Sequence, residues 1–276
     1  MELLSPKNIK EIFAKYKAKP SKGLGQNFLI DKNVLQKVID SADIKPNDVI
    51  LEVGPGIGTL TQELAKFAEK VIAVEKDKKM IEILAETLKN YKNIEIIHGD
   101  ILKINSTNYK LPTTNYKLVA NIPYYLTSPL IRKFLESENP PSEMILMLQK
   151  EVAQRICSKP PKMSLLAVSV QFYAEPKIIS YVSKNCFWPA PKIDSAIIKI
   201  TPYRFRESVK TKTENFFNIA KAGFSQPRKQ LAGNLAKSLK IEKVKINSWL
   251  TENKINTTQR AETLSIEDWK NLVSSL

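Results

Sequence analysis

An apolar strand that runs directly into a glycine-rich turn is the feature that most constrains the fold of this chain. Residues 49–53 are apolar apart from Glu52, and Gly54, Gly56 and Gly58 follow in a G-x-G-x-G spacing. A helix is predicted next. Glycines let a ligand approach backbone N–H groups near a helix start. A strand, a glycine turn and a helix in this order predict a ligand-binding crevice.

Strands and helices alternate through the first 150 residues. We predict apolar strands at 71–75, 94–97, 118–120 and 144–148, and helices at 33–42, 60–67, 78–88 and 130–135. All-apolar strands that alternate with helices are typical of a mostly parallel sheet covered on both faces. In residues 167–172 and 195–200, apolar and polar residues alternate more than in the other strands, and we predict an antiparallel edge pair. The predicted fold class is α/β.

The pattern changes after Pro202, where helices replace strands. Helices are predicted at 214–222, 228–239, 243–253 and 265–276. We therefore predict a first domain at 1–203, which includes a basic N-terminal arm, and a small helical domain at 204–276. The second carries 14 Lys and Arg against 7 Asp and Glu, a net charge of +7.

The whole chain is strongly basic, with 43 Lys and Arg, 28 Asp and Glu, and a net charge of +15. A domain this basic usually binds a polyanion, although a generally lysine-rich surface gives the same balance. No apolar run approaches the ~20 residues of a membrane span, and the N-terminus lacks the apolar centre of a secretion signal. Cys157 and Cys186 show no metal-ligand spacing. We expect a cytoplasmic protein without a metal or a membrane partner.

Two acidic residues extend the glycine turn into a predicted cofactor site. Glu75 ends the next strand, 21 residues after Gly54, where a carboxylate can bind both ribose hydroxyls. Asp100 ends the strand after that and can accept from an adenine amino group. The series describes an adenosine-containing ligand without an obligatory pyrophosphate. It favours S-adenosylmethionine over NAD, whose fingerprint is G-x-G-x-x-G.

The run Asn121-Ile122-Pro123-Tyr124 follows the fourth predicted strand. Pro123 fixes its own φ and favours extended geometry in the preceding residue, so the turn is stiff. An amide carbonyl at Asn121 can accept from an exocyclic amine, and the ring of Tyr124 offers a stacking face. This pairing suits chemistry on the amino group of an unstacked nucleobase.

Several motifs together resemble the ribosomal small-subunit (16S) rRNA adenine N6,N6-dimethyltransferases. The resemblance runs from about Gly25 to the C-terminus. The motifs that carry it are 25–29 (GQNFL), 52–58 (EVGPGIG), 121–124 (NIPY), 149–155 (QKEVAQR), 187–196 (FWPAPKIDSA), 223–231 (GFSQPRKQL) and 260–265 (RAETLS).

The resemblance implies a Rossmann-like class I methyltransferase with a mostly parallel seven-stranded sheet and a C-terminal all-helical domain. It implies transfer of methyl groups from S-adenosylmethionine to two adjacent adenosines in the 3′-terminal hairpin of 16S rRNA. The partner would be a precursor of the 30S subunit, and the protein a monomer. The implied cofactor residues are Asn27, Leu29, Gly54, Gly56, Glu75, Asp100, Ile101 and Asn121. The implied catalytic residues are Asn121, Pro123, Tyr124 and Phe187, with Phe187 and Tyr124 stacking on the adenine.

The chain departs from the family pattern in two places, and three alternatives stay open. Pro227 stands where many members carry an arginine, and Gly23-Leu24 replaces a more basic pair, which leaves the detail of RNA docking open. The nearest alternative is a 23S rRNA adenine methyltransferase of the macrolide-resistance type. The second is a methyltransferase fold kept as a non-catalytic assembly factor. The third, an NAD-dependent enzyme, is disfavoured by the glycine spacing.

Overall fold

The computed structural model describes residues 2–104, 116–203 and 210–275, with the side chains of the last range from residue 213 on. Strands in these ranges are β1 (Phe28–Leu29), β2 (Val49–Val53), β3 (Lys70–Glu75), β4 (Ile94–His98), β5 (Tyr116–Asn121), β6 (Glu143–Gln149), β7 (Ala174–Val182), β8 (Phe187–Trp188) and β9 (Ser195–Pro202). Helices are α1 (Pro6–Lys15), α2 (Lys32–Ala42), α3 (Thr59–Leu64), α4 (Lys78–Thr87), α5 (Thr127–Leu135), α6 (Lys150–Ile156), α7 (Leu165–Gln171), α8 (Lys210–Gly223), α9 (Leu231–Leu239), α10 (Lys243–Glu252) and α11 (Ile266–Ser274).

Within the described residues, seven strands form one sheet in the order β4-β3-β2-β5-β6-β9-β7. Five strands, β4, β3, β2, β5 and β6, run parallel to one another, so their carboxyl ends meet at one edge. β9 runs antiparallel to β6, with Gln149 opposite Ser195. The predicted α/β class with a mostly parallel seven-stranded sheet is confirmed. The antiparallel placement of residues 195–200 is also confirmed.

Helices α2, α3 and α4 pack against the sheet, each through an apolar face. In α2 the buried stripe is Val34, Leu35, Val38, Ile39 and Ala42, and Asp31 caps the helix by accepting from the backbone N–H of Val34 at 2.9 Å. α1 was not predicted. It buries Ile9, Ile12 and Phe13, which are spaced along one helical face between lysines.

The predicted strand at residues 167–172 is wrong, because this segment is helix α7. The side chain of Ser164 accepts from the backbone N–H of Ala167 and starts the helix. Ala167 and Val168 then pack into an apolar cluster with Phe216. The edge strand of the sheet is instead β7, seven residues further along the chain.

The chain divides into two compact units. The first contains Met1–Ala153 and Lys177–Pro202, and the second contains Gln154–Pro176 and Tyr203–Leu276. The predicted domains, 1–203 and 204–276, differ from these units in the segment 154–176, and that division stays a prediction. In the described residues after 209 the second unit contains helices and turns only, with Trp269 fully buried among them. None of the helices in the described ranges has the length and apolarity that a membrane span needs.

Candidate active site

A cleft opens in the first unit at the carboxyl edge of the parallel strands. It is lined by all eleven residues predicted for the site: Asn27, Leu29, Gly54, Gly56, Glu75, Asp100, Ile101, Asn121, Pro123, Tyr124 and Phe187. They come from β1, from the ends of β2, β3, β4 and β5, and from β8. The structure brings these separate sequence motifs together. Their individual roles stay predictions.

The glycine turn needs glycine for two reasons. Gly54 and Gly56 have φ of 70° and 60°, in the left-handed region that side chains rarely adopt. A Cβ atom on Gly56 would lie 3.0 Å from the ring of Phe28. The turn therefore leaves its backbone close to the cleft, with the N-terminal segment packed against it.

Glu75 is held in place by three backbone donors. Its Oε1 accepts from the N–H groups of Lys76 and Asp77, both at 2.8 Å, and its Oε2 accepts from the N–H of Gly56 at 3.2 Å. Burial raises the pKa of this carboxyl, and the three backbone hydrogen bonds oppose that effect. The carboxylate is thus fixed beside the glycine turn, at the edge of the cleft.

Asp100 forms an ion pair with Lys76, and both residues line the cleft. Its Oδ2 lies 3.0 Å from Nζ of Lys76, and its Oδ1 accepts from the N–H of Leu102 at 3.0 Å. Burial alone would raise the pKa of Asp100, but the hydrogen bonds from Lys76 and Leu102 outweigh it and lower the pKa overall. Asp100 is therefore an ionised acceptor near the cleft wall.

Asn121 contacts the N-terminal segment. Its Nδ2 donates to the carbonyl of Asn27 at 3.2 Å, and the Asn27 side chain in turn donates to the carbonyl of Gly25 at 3.0 Å. A Cβ on Gly25, whose φ is 62°, would lie 3.4 Å from Cβ of Pro123. The segment around Gly25 therefore lies directly on the turn that carries Asn121.

Two aromatic side chains line the same cleft from different strands. The hydroxyl of Tyr124 lies 3.1 Å from Oγ of Ser195, and burial raises the pKa of this phenol, so it stays protonated at neutral pH. Phe187 is buried and stands opposite Leu29 in the antiparallel β1–β8 pair. Leu29, a predicted cofactor residue, and Phe187, a predicted stacking residue, are thus direct cross-strand neighbours.

The site predictions omitted several polar residues that line the cleft, among them Glu52, Thr59 and Lys76. Glu52 is only 1% exposed, and its Oε2 has no hydrogen-bond partner among the described residues. Burial raises its pKa to about 8. The available signal was a charged residue inside an otherwise apolar strand. The hydroxyl of Thr59 is likewise buried without a partner in that part of the chain.

The comparison with protein families gives one clear match. Residues 17–276 match the family described as ribosomal RNA adenine dimethylase. A relative from Dehalococcoides mccartyi, named ribosomal RNA small subunit methyltransferase A, is 46% identical over 95% of this chain and 90% of its own length. A relative of the same name from Alkaliphilus oremlandii is 42% identical over 99% of this chain and 97% of its own.

Solved structures share the fold. The 23S rRNA methyltransferase ErmE superposes with a TM-score of 0.74 and 25% identity, over 91% of this chain and 99% of that one. A dimethyladenosine transferase from Plasmodium falciparum gives a TM-score of 0.73 and 28% identity, over 89% and 95%. The predicted class I methyltransferase fold is confirmed, and so is the resemblance that the motifs indicated.

Proposed function

The chain belongs to the ribosomal RNA adenine dimethylase family, and we propose that it dimethylates N6 of two adjacent adenosines in the 3′-terminal hairpin of 16S rRNA. One observation carries the proposal. The amide of Asn121, held by the carbonyl of Asn27, lines the same cleft as the glycine turn and the carboxylates of Glu75 and Asp100. An acceptor for a target amine and an adenosine-binding series therefore share one cleft.

The cleft fits S-adenosylmethionine by the chemistry of its donors and acceptors. Glu75, anchored beside Gly56, accepts the ribose hydroxyls, and ionised Asp100 accepts the adenine amino group. The unpartnered buried carboxyl oxygen of Glu52 adds an acceptor under the turn, where a cationic ligand group would supply the missing partner. Asn27, Leu29, Gly54, Ile101 and Asn121 complete the predicted cofactor contacts. S-adenosylmethionine, when bound, supplies an electrophilic methyl group.

The protein positions the target amine and needs no general base. The Asn121 Oδ1 accepts one amine hydrogen. A backbone carbonyl of the Ile122–Pro123 turn accepts the other. The Pro123 carbonyl already accepts one hydrogen bond, from the N–H of Leu126 at 2.9 Å, which favours the carbonyl of Ile122. Two acceptors draw the nitrogen lone pair out of conjugation with the ring and aim it at the cleft. Tyr124 and Phe187 hold the unstacked base between them.

The identity of the substrate RNA follows from the relatives more than from the fold. The superposed ErmE structure is named a 23S rRNA methyltransferase, whereas the relatives at 42% and 46% identity are named small subunit methyltransferases. The proposed partner is a 30S precursor. The net charge of +15 supports binding of rRNA phosphates, with residues 204–276 as the docking domain. We further propose a cytoplasmic monomer.

A methyl-transfer assay tests the proposal. Labelled S-adenosylmethionine is incubated with the protein and either unmodified 30S subunits or 23S rRNA, with an Asn121→Ala variant as control. The proposal predicts label on 30S subunits only, and none with the variant. Label on 23S rRNA would assign the protein to the resistance type. Cofactor binding without label on either RNA would support a non-catalytic assembly factor.

A further inference from the structure

A cation–π pair lies at the same end of the sheet as the active-site cleft. The Nζ atom of Lys150 lies 5.1 Å from the ring centroid of Tyr181. Lys150 is the first residue after β6, and Tyr181 is the last but one residue of β7. The ring of Tyr181 is large and apolar, yet this residue is 53% exposed. An exposed pair of this kind contributes only ~0.5–1 kcal/mol, so fold stability does not require it.

A short chain of contacts connects the pair to the target side of the cleft. The backbone N–H of Lys150 donates to the carbonyl of Asp194 at 3.1 Å. The next residue, Ser195, holds the hydroxyl of Tyr124 at 3.1 Å. Lys150 is therefore hydrogen-bonded to the residue that directly precedes Ser195, whose side chain contacts the predicted stacking ring of Tyr124.

Strand order sets the distance between Tyr181 and the target turn. β5, which ends at Asn121, and β7, which carries Tyr181, are separated by β6 and β9. Three strand spacings of ~4.8 Å amount to roughly 14 Å along the sheet edge. A single-stranded RNA whose adenosine enters the cleft can place a neighbouring nucleotide at this distance.

A positive charge next to the exposed ring favours an anionic strand. Lys184 and Lys192, in the loop between β7 and β9, are exposed. The acids nearby are Glu151, which is exposed, and Asp194, whose Oδ1 accepts from the N–H of Lys184 at 3.0 Å. Asp31 adds a third acid to this segment, since its Oδ2 accepts from Sγ of Cys186 at 3.5 Å. The positive charge next to the exposed ring is therefore that of Lys150 itself. Such a combination binds unpaired nucleotides.

We propose that Tyr181 and Lys150 form a nucleotide subsite, in which an unpaired base flanking the target adenosine stacks on Tyr181 and its phosphate contacts Lys150. The subsite rests on the proposed function, because it takes its RNA from that substrate. Its role is substrate binding, separate from the methyl-transfer chemistry at Asn121. Loss of the subsite therefore weakens RNA binding and leaves cofactor binding intact.

Binding of unmodified 30S subunits, measured without cofactor, tests the subsite directly. Tyr181→Ala should raise the dissociation constant about 5- to 150-fold, whereas Tyr181→Phe keeps the ring and should stay close to the wild type. Lys150→Gln should reduce the slope of log affinity against log salt by about one. Phe67→Ala is the matched control, because Phe67 is 48% exposed and lies outside the cleft lining.

The outcomes separate this proposal from the proposed function. Equal 30S affinities for Tyr181→Ala and Phe67→Ala would overturn the subsite, as would a Tyr181→Phe variant that binds as weakly as Tyr181→Ala. Cofactor affinity, measured in parallel, should be unaltered in Tyr181→Ala, and a matching loss there would also overturn it. A wild-type protein that binds 30S subunits but transfers no methyl would reject the proposed function, while the Tyr181 comparison would still decide the subsite.

Discussion

The side-chain amide of Asn121 donates to the backbone carbonyl of Asn27, 3.2 Å away and 94 residues earlier in the chain. This hydrogen bond engages the Nδ2 group and leaves Oδ1 as the acceptor at the cleft. It also joins the turn that is proposed to receive the target amine to the segment predicted to contact the cofactor. Asn121 is therefore oriented by the N-terminal segment before any substrate arrives.

Replacing Asn121 should separate turnover from cofactor binding. In Asn121→Ala the amine loses a positioned acceptor, and we expect kcat to fall by at least about 100-fold. Loss of a neutral hydrogen bond costs about 0.5–1.5 kcal/mol, so the dissociation constant for S-adenosylmethionine should rise no more than about tenfold. Calorimetry and methyl transfer measure the two effects. Near-normal turnover would remove Asn121 from the mechanism.

The ring of Tyr124 should matter more than its hydroxyl. Tyr124→Ala removes the stacking face, at a cost of ~1–3 kcal/mol in kcat/KM. Tyr124→Phe loses only the hydrogen bond to Ser195 and should lose less than about tenfold. Ser195→Ala removes the same bond from the other side and should match Tyr124→Phe. If Tyr124→Phe were as impaired as Tyr124→Ala, the hydroxyl and not the ring would be responsible.

Buried Glu52 should make the ligand-free protein less stable as pH rises. Its pKa is raised from 4.5 to about 8 in the folded state, so the folded protein holds a proton that the unfolded chain releases. The contribution of this proton to the free energy of unfolding is complete below pH 4.5 and is lost progressively as the pH rises towards 8. The loss between pH 5 and 7 should be roughly 2–3 kcal/mol. Urea unfolding of the wild type and Glu52→Gln measures it, and parallel pH profiles for the two proteins would contradict the prediction.

Two glycines should respond oppositely to alanine. Gly56→Ala places a Cβ 3.0 Å from the Phe28 ring at a φ of 60°, so we expect a loss of about 1–2 kcal/mol in the free energy of unfolding. Gly233 lies inside α9, and a Cβ there would have no described neighbour within 4 Å, so Gly233→Ala should add about 0.5–1 kcal/mol. Thermal unfolding should show melting temperatures that move in opposite directions. A shift of the same sign in both variants would contradict this difference.

The parallel sheet and the strand-end residues of the cleft could be predicted because both depend on local signals. The remaining cleft residues Asn27, Leu29, Ile101 and Phe187 came only from the family resemblance. Apolar strands such as residues 144–148 are buried on both faces, and parallel order places strand-end residues such as Glu75 and Asp100 at one edge. Helix α7 could not be told from a strand by periodicity, since a short apolar run fits both. The cap at Ser164 was the signal that would have decided it.

Other features depend on contacts between distant parts of the chain. The ion pair between Lys76 and Asp100 and the contact of Phe28 with the glycine turn arise only when strands and segments assemble. The buried state of Glu52 likewise follows from the place of β2 between β3 and β5, where residues 50–53 are all buried. The sequence indicates that such a residue is unusual, and the packing decides its pKa.

Site-resolved mass spectrometry of 16S rRNA, after unmodified 30S subunits are incubated with the protein and S-adenosylmethionine, tests the central claim most directly. The account predicts N6,N6-dimethyladenosine at two adjacent positions in the 3′-terminal hairpin and at no other position. Methylation elsewhere in the RNA, or an unmodified hairpin with a protein that binds both cofactor and subunit, would contradict it.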